Sequence, residues 1–213
     1  MNLERLKEAQ FIIHDPTSPS PKNPTLAAQI KYMSGYCTYT QTLDKQNVHK
    51  VYHDTEYGFP LNSDDELFAR LVLEINQAGL SWETILKKKD SFYEAFDNFN
   101  VQKVAKYNEA KIEKLLQNAG IIRNRLKVNA AIENAKKILE LQKENGSFKN
   151  WLDKHHPLTK DEWVKLFKKN FRFTGGEIVN EFLMSSGYLP GAHSTDCPVY
   201  KKIQRLKPMW LKK

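Results

Sequence analysis

The chain has 213 residues, 40% hydrophobic and 11% aromatic, enough to bury one sizeable core unaided. Its formal net charge of +8 comes largely from short lysine clusters and the closing "KKIQRLKPMWLKK", a field that suits polyanions and equally a plain solvated surface. No run of about 18 apolar residues occurs, Met1 to Ile13 is too charged for a signal peptide, and two cysteines exclude a disulfide framework, so a cytoplasmic protein with no membrane contact is expected.

In chain order, residues 1–35 read as an N-terminal extension, a short amphipathic piece followed by the linker-like "HDPTSPSPKNP". Residues 36–203 read as one helical domain and 204–213 as a basic tail. The first strong start is "SDDE", a capping box of Ser63 and Glu66, and a second, "TKDE", lies at Thr159 to Glu162. Further starts are expected at Ser81, Asp90, Asn100, Asn108 and Asn124. The longest periodic segment runs from about Arg123 to Glu144, with Leu126, Ala130, Ala131, Ala135, Ile138, Leu139 and Leu141 at helical spacing until "NGS" ends it. Alternating strand-like runs of Val, Ile and Thr do not occur, so the fold expected is all-α.

One helix raises a chemical question. On a wheel of about 100° per residue, Leu67, Leu71 and Ala78 share a stripe with Glu74, which places a carboxylate at the core margin. An ion pair with Arg70, four residues earlier, would explain it, although the basic-before-acidic order is the weaker one. The surroundings suggest more: "QAGLSW" breaks the helix at Gly79 and leaves Leu80 and Trp82 on a tight turn, with the aromatic and acidic "VYHDTEYGFP" upstream. A carboxylate among aromatic faces suits a planar cationic donor.

The segments "YHDTEYGFP", "LEINQAGLSW", "ILKKK", "NAGIIRNRLKVNAAIENA" and "FRFTGGEIVNEFLMSSGYLPGAHSTDC" resemble, in that order, the bacterial 3-methyladenine DNA glycosylase I family of helix-hairpin-helix glycosylases. The likeness covers about Tyr36 to Tyr200 and implies that fold, with a structural zinc ion tying the two ends of the domain together through Cys37, His53, His193 and Cys197. It implies base excision repair: a nucleotide is flipped out of alkylated double-stranded DNA and 3-methyladenine is removed by hydrolysis. Glu74 would recognise the base, Tyr52 and Trp82 would sandwich it, and His49 and Asn76 stand near enough in sequence to join them. Gly79 and Leu80 would fill the gap left in the duplex. Gly175 and Gly176 of "FTGGE" would meet a phosphate, with Lys168 and Lys169 beside them.

The chemistry implied is economical. Adenine methylated at N3 is cationic and already a good leaving group, so the family pattern needs no strong general acid, and no catalytic aspartate is placed after the hairpin. The chain departs from the family at His49, where an aromatic is usual, and at Tyr57, where a Trp is usual. A protonated His49 would repel a cationic base. A non-catalytic, zinc-stabilised DNA-binding module is the alternative, and the scaffold alone would not require Glu74, Tyr52 and Trp82 together. A monomer without an obligate protein partner is expected.

Overall fold

The computed structural model describes residues 35–212; the expectations for residues 1–34 lie outside that range. The described residues form helices and no strand: α1 (35–41), α2 (Val48–Thr55), α3 (Asp64–Gln77), α4 (Trp82–Ala95), α5 (Val101–Val104), α6 (Glu109–Gln117), α7 (Arg125–Asn145), α8 (Phe148–His155), α9 (Lys160–Asn170), α10 (Gly176–Ser185) and α11 (Pro198–Arg205), with 3-10 turns at Asp97–Phe99 and Met209–Leu211. None of them is long and apolar enough to cross a membrane.

Most of these helices begin where a short polar side chain can accept from a free backbone N–H. Ser63 and Thr159 form full capping boxes, and Ser81, Asn100, Asn108 and Asn124 cap α4 to α7, each contributing on the order of 1 kcal/mol. Asp90 starts nothing. It lies inside α4, because Ile85, Phe92 and Phe96 carry one buried stripe straight through it. Asn47 and Ser147 cap α2 and α8, so the "NGS" that ends α7 also opens the next helix.

The centre of the molecule is α3, which packs against α4, α7, α8 and α10 and buries Leu67, Phe68, Leu71, Val72 and Ile75. Each such side chain contributes roughly 1.5–3 kcal/mol on removal from water. The anchoring of α3 is polar at its start: Asp64 accepts from the backbone N–H groups of Phe148 at 2.7 Å and Lys149 at 2.9 Å, at the head of α8. On α7, Leu126 does not join the buried stripe; it is 66% exposed while its neighbour Lys127 is 8% exposed. The reason is tertiary, since Lys127 reaches across to the end of α3.

A second, smaller core gathers Cys37, Cys197, Val199 and Ile203, with Phe59, Tyr200 and Trp210 against it. The basic end of the chain therefore packs on the body. Trp210 lies 5.9 Å from the Tyr200 ring, and its backbone N–H donates to the Gly187 carbonyl at 3.3 Å.

Candidate active site and metal centre

Glu74 sits one turn before the end of α3 and is only 4% exposed. Its Oε1 receives the Ser185 hydroxyl from α10 at 3.4 Å. Burial pushes its carboxyl up to about 8, the negative charge of Glu181 adds to that, and Arg70 and the Ser185 hydroxyl oppose it. The ion pair with Arg70 that the sequence allows is not formed. Arg70 turns instead to the Tyr52 hydroxyl at 2.9 Å, the Ser185 carbonyl at 3.4 Å and the Glu56 carboxylate at 3.5 Å. Its guanidinium carbon also stands 5.1 Å from the Tyr52 ring centroid.

Around this carboxylate stand aromatic rings from three elements. Tyr52 of α2 is buried, 5.1 Å from Trp82 at an interplanar angle of 66° and 5.5 Å from Tyr57. Rings edge to face at 5.1 Å leave no slot for a base, which needs about 7 Å between parallel planes, twice the ~3.4 Å spacing of stacked bases. Trp82, half-buried at the first position of α4, follows the turn that contains Gly79, whose φ of +82° suits glycine and ends α3.

That turn is held from outside. Lys127 Nζ donates to the carbonyls of Asn76 at 3.0 Å and Ala78 at 2.8 Å, so a buried cation closes the carbonyl end of α3. Gln77 adds a bond to the Leu80 carbonyl at 3.0 Å. Asn76 itself is buried and donates to the Val72 carbonyl of its own helix at 2.8 Å. Leu80 leans on the main core, which leaves Gly79 as the exposed tip. His49 lies farther out between Tyr36 and Tyr39, with its Nδ1 3.3 Å from the Tyr36 hydroxyl. Burial lowers its pKa, so it stays neutral near pH 7 and does not repel a cation.

Cys37 of α1, His53 of α2, and His193 and Cys197 from the segment leading into α11 converge so that their donor atoms all lie within 4.8 Å of one another, and all four residues are buried. The separations are 3.1 Å between His53 Nε2 and His193 Nδ1, and 3.5 to 3.8 Å for three sulfur–nitrogen pairs. Those values fit the edges of a tetrahedron around an ion bound at roughly 2.0–2.3 Å. The outward ring nitrogens are engaged as metal-bound histidines require: His53 Nδ1 with Asp54 at 2.7 Å, His193 Nε2 with the Tyr57 carbonyl at 2.8 Å. Gly58 makes the close approach possible, because a Cβ there would lie 2.7 Å from that of Ala192. The cluster can hold a metal ion, and it adjoins the aromatic box through Tyr36, 5.8 Å from His53, and Tyr57, 5.6 Å from His193.

The hairpin between α9 and α10 is set by α7. Asn134, fully buried, accepts from the Arg172 N–H at 2.7 Å and donates to its carbonyl at 3.2 Å. Gly175 precedes α10 without a side-chain cap, and a Cβ at Gly175 or Gly176 would meet nothing within 4 Å. Nothing inside the protein demands glycine there, whereas a phosphate approaching the free N–H groups would. Lys168 and Lys169 are exposed at the end of α9, and Lys168 lines a shallow groove with Phe171 and Gly175.

Sequence reasoning missed Glu181, Ser185, Lys127 and Asn134. Only the first carries a signal of its own, as a carboxylate next to the apolar run Phe182, Leu183 and Met184 and four residues before Ser185.

The sequence profile of methyladenine glycosylase matches residues 42–165. The DNA-3-methyladenine glycosylase of Haemophilus influenzae is 36% identical over 173 residues, covering 72% of this chain and 93% of that protein. Among solved structures, 3-methyladenine DNA glycosylase I from Staphylococcus aureus superposes with a TM-score of 0.68 at 31% identity, covering 78% of this chain and 97% of that one. A Tyr→Phe variant of a 3-methyladenine DNA glycosylase I, in complex with 3-methyladenine, gives 0.67 at 30% identity with the same coverage.

Proposed function

The chain belongs to the 3-methyladenine DNA glycosylase I family, and from that premise we propose that it removes 3-methyladenine from alkylated double-stranded DNA by hydrolysis of the glycosidic bond. The observation that carries this reading is the buried Glu74, which has no cation of its own within ion-pair distance among the described residues and whose charge acts on Tyr36, Tyr52 and Tyr57, with Trp82 set against Tyr52.

The electrostatics supply the selectivity. With its carboxyl raised to about 8, Glu74 is mostly protonated at pH 7, and ionising it costs about 1.4 kcal/mol for each unit between pH and pKa. A cationic base offsets that cost, through a charge-assisted hydrogen bond from its exocyclic amine and through stacking of on the order of 0.5–2 kcal/mol per aromatic face. Neutral adenine, with a weaker N–H donor and no positive charge to set over the rings, repays much less of that cost, so its place remains in the duplex. Tyr52 and Trp82 form the two faces once Trp82 has turned, while neutral His49 stays farther out and the Asn76 amide is held by the Val72 carbonyl of its own helix. The glycosidic electron pair leaves with the base, neutralising its charge; water adds to the sugar carbon and gives up a proton to solvent.

Flipping the base out costs a few kcal/mol, less for a damaged one. Gly79, the exposed tip of its turn, enters the vacated stack with Leu80, which first leaves its place on the core, while the N–H groups beside Gly175 and Gly176 hold a phosphate and Lys168 and Lys169 add charge. Zinc suits the two-cysteine, two-histidine set, where it would serve structure and leave no position open to water. It would fix α1 and α2 to the segment before α11 and thereby set Tyr52 beside Tyr57. We propose further that the enzyme acts as a cytoplasmic monomer, with residues 36–203 as its catalytic domain.

The test is chromatographic analysis of bases released from methylated duplex DNA. The reading expects 3-methyladenine from the native protein and a fall of at least tenfold with Glu74→Ala. DNA binding without any release would return the chain to the non-catalytic module.

A further inference from the structure

A second carboxylate stands beside the tyrosines near Glu74 and has no ion-pair partner among the described residues. Glu181 lies on α10, one turn before Ser185, and Ser185 is the residue whose hydroxyl touches Glu74. Residues four apart share a helix face, so Glu181 and Ser185 address the same side of α3. The Tyr57 hydroxyl donates to Glu181 Oε2 at 3.1 Å, and the Tyr57 ring stands 5.5 Å from Tyr52 and 5.8 Å from Tyr36. Glu181 and Tyr57 are half-buried where Glu74 is buried, which puts Glu181 at the mouth of the box and Glu74 at its floor.

The local charges do not balance. Arg70 is paired with Glu56 and Lys160 with Glu177, and among the described residues Glu181 has no ion-pair partner. Nor does the expected ligand favour a bare carboxylate here. Glu181 lies five residues along α10 from Gly176, about 7–8 Å down the axis from the turn proposed to meet a phosphate. Next to a polyanion, a carboxylate is unfavourable unless it meets positive charge.

Resting on the reading above, we propose that Glu181, oriented by Tyr57, is a specificity-determining residue of the pocket, a second acceptor for a cationic N-alkylated purine with more than one N–H donor. The incoming base meets Glu181 at the mouth and Glu74 at the floor. Burial raises the Glu181 carboxyl to about 7, which keeps the pair from carrying two full charges while the pocket is empty.

Glu181→Gln keeps the shape and an acceptor for Tyr57 while removing the charge, and Tyr57→Phe leaves the charge unoriented. The measurements are kcat and KM for 3-methyladenine release from methylated duplex DNA, alongside affinity for the same duplex with an abasic site, where no base enters the pocket. The proposal expects kcat/KM to fall about tenfold in Glu181→Gln and less in Tyr57→Phe, with abasic-site affinity unchanged in both. Unaltered kcat/KM in Glu181→Gln overturns it. So does a parallel loss of abasic-site affinity, which would mark a structural role. Absence of release by the native protein instead sinks the reading of the site itself.

Discussion

Replacing Glu74 with Gln should stabilise the protein, and the gain should grow with pH. The folded-state carboxyl is raised to about 8 from an ordinary 4.5, so between those values the native state binds more protons than the unfolded chain. Stability then falls as pH rises across that window. At about 1.36 kcal/mol per unit, the carboxyl costs the fold on the order of 3 kcal/mol at pH 7 and under about 1 kcal/mol at pH 5. Gln has the same shape and no charge to desolvate, so the variant should recover part of this, roughly 1–3 kcal/mol at pH 7. For a chain of this size that is several degrees in Tm. Circular dichroism melts of both proteins at pH 5, 7 and 8 measure it. A native protein more stable than the variant at every pH would refute the reasoning, since that is what an ion pair between Glu74 and Arg70 predicts.

Three further outcomes follow from the geometry. Stripping metal with a chelator, or Cys37→Ser, should lower Tm and weaken base release together, because the cluster and the aromatic box share Tyr36 and Tyr57; elemental analysis should find one zinc per chain before treatment. Lys127→Met should deprive the buried Asn76 carbonyl and the part-buried Ala78 carbonyl of this partner, at a cost of about 1–3 kcal/mol for the first and less for the second, and should impair release from duplex DNA more than from single strands, where no gap must be filled; equal losses on both would remove Lys127 from the positioning of the turn. Gly175→Ala should melt within about 1 kcal/mol of the native protein, since its Cβ meets nothing, yet bind DNA more weakly, and Lys168→Ala with Lys169→Ala should flatten the slope of log affinity against log salt by about 2; unchanged binding in these variants would move the DNA contact elsewhere.

What could be read from the residues alone was mostly what is decided locally. A serine or asparagine before an apolar run caps a helix through bonds three residues away, which is why Ser63, Asn124 and Thr159 were legible. Asp90 has the same local credentials and failed, because the buried stripe of α4 outweighs one potential cap. The reversal of Leu126 and Lys127 is beyond periodicity, since the carbonyls that draw Lys127 inward belong to a helix some fifty residues earlier. Glu74 was visible as a charge on an apolar face, but its company was not. Ser185 and Glu181 come from α10, more than a hundred residues on, and Arg70 is diverted by Tyr52 and Glu56. The four metal-binding candidates were found through family resemblance, and their convergence from both ends of the domain is a property of the fold.

The central claim is that a buried carboxylate selects a base by its charge. The most direct measurement compares single-turnover release of 3-methyladenine with that of a neutral damaged base, hypoxanthine, from the same duplex by the native protein and by Glu74→Gln. The account predicts rapid release of 3-methyladenine, negligible release of hypoxanthine, and a loss in the variant confined to the cationic base. Comparable release of both bases by the native protein, or a variant that releases 3-methyladenine at the native rate, would contradict it.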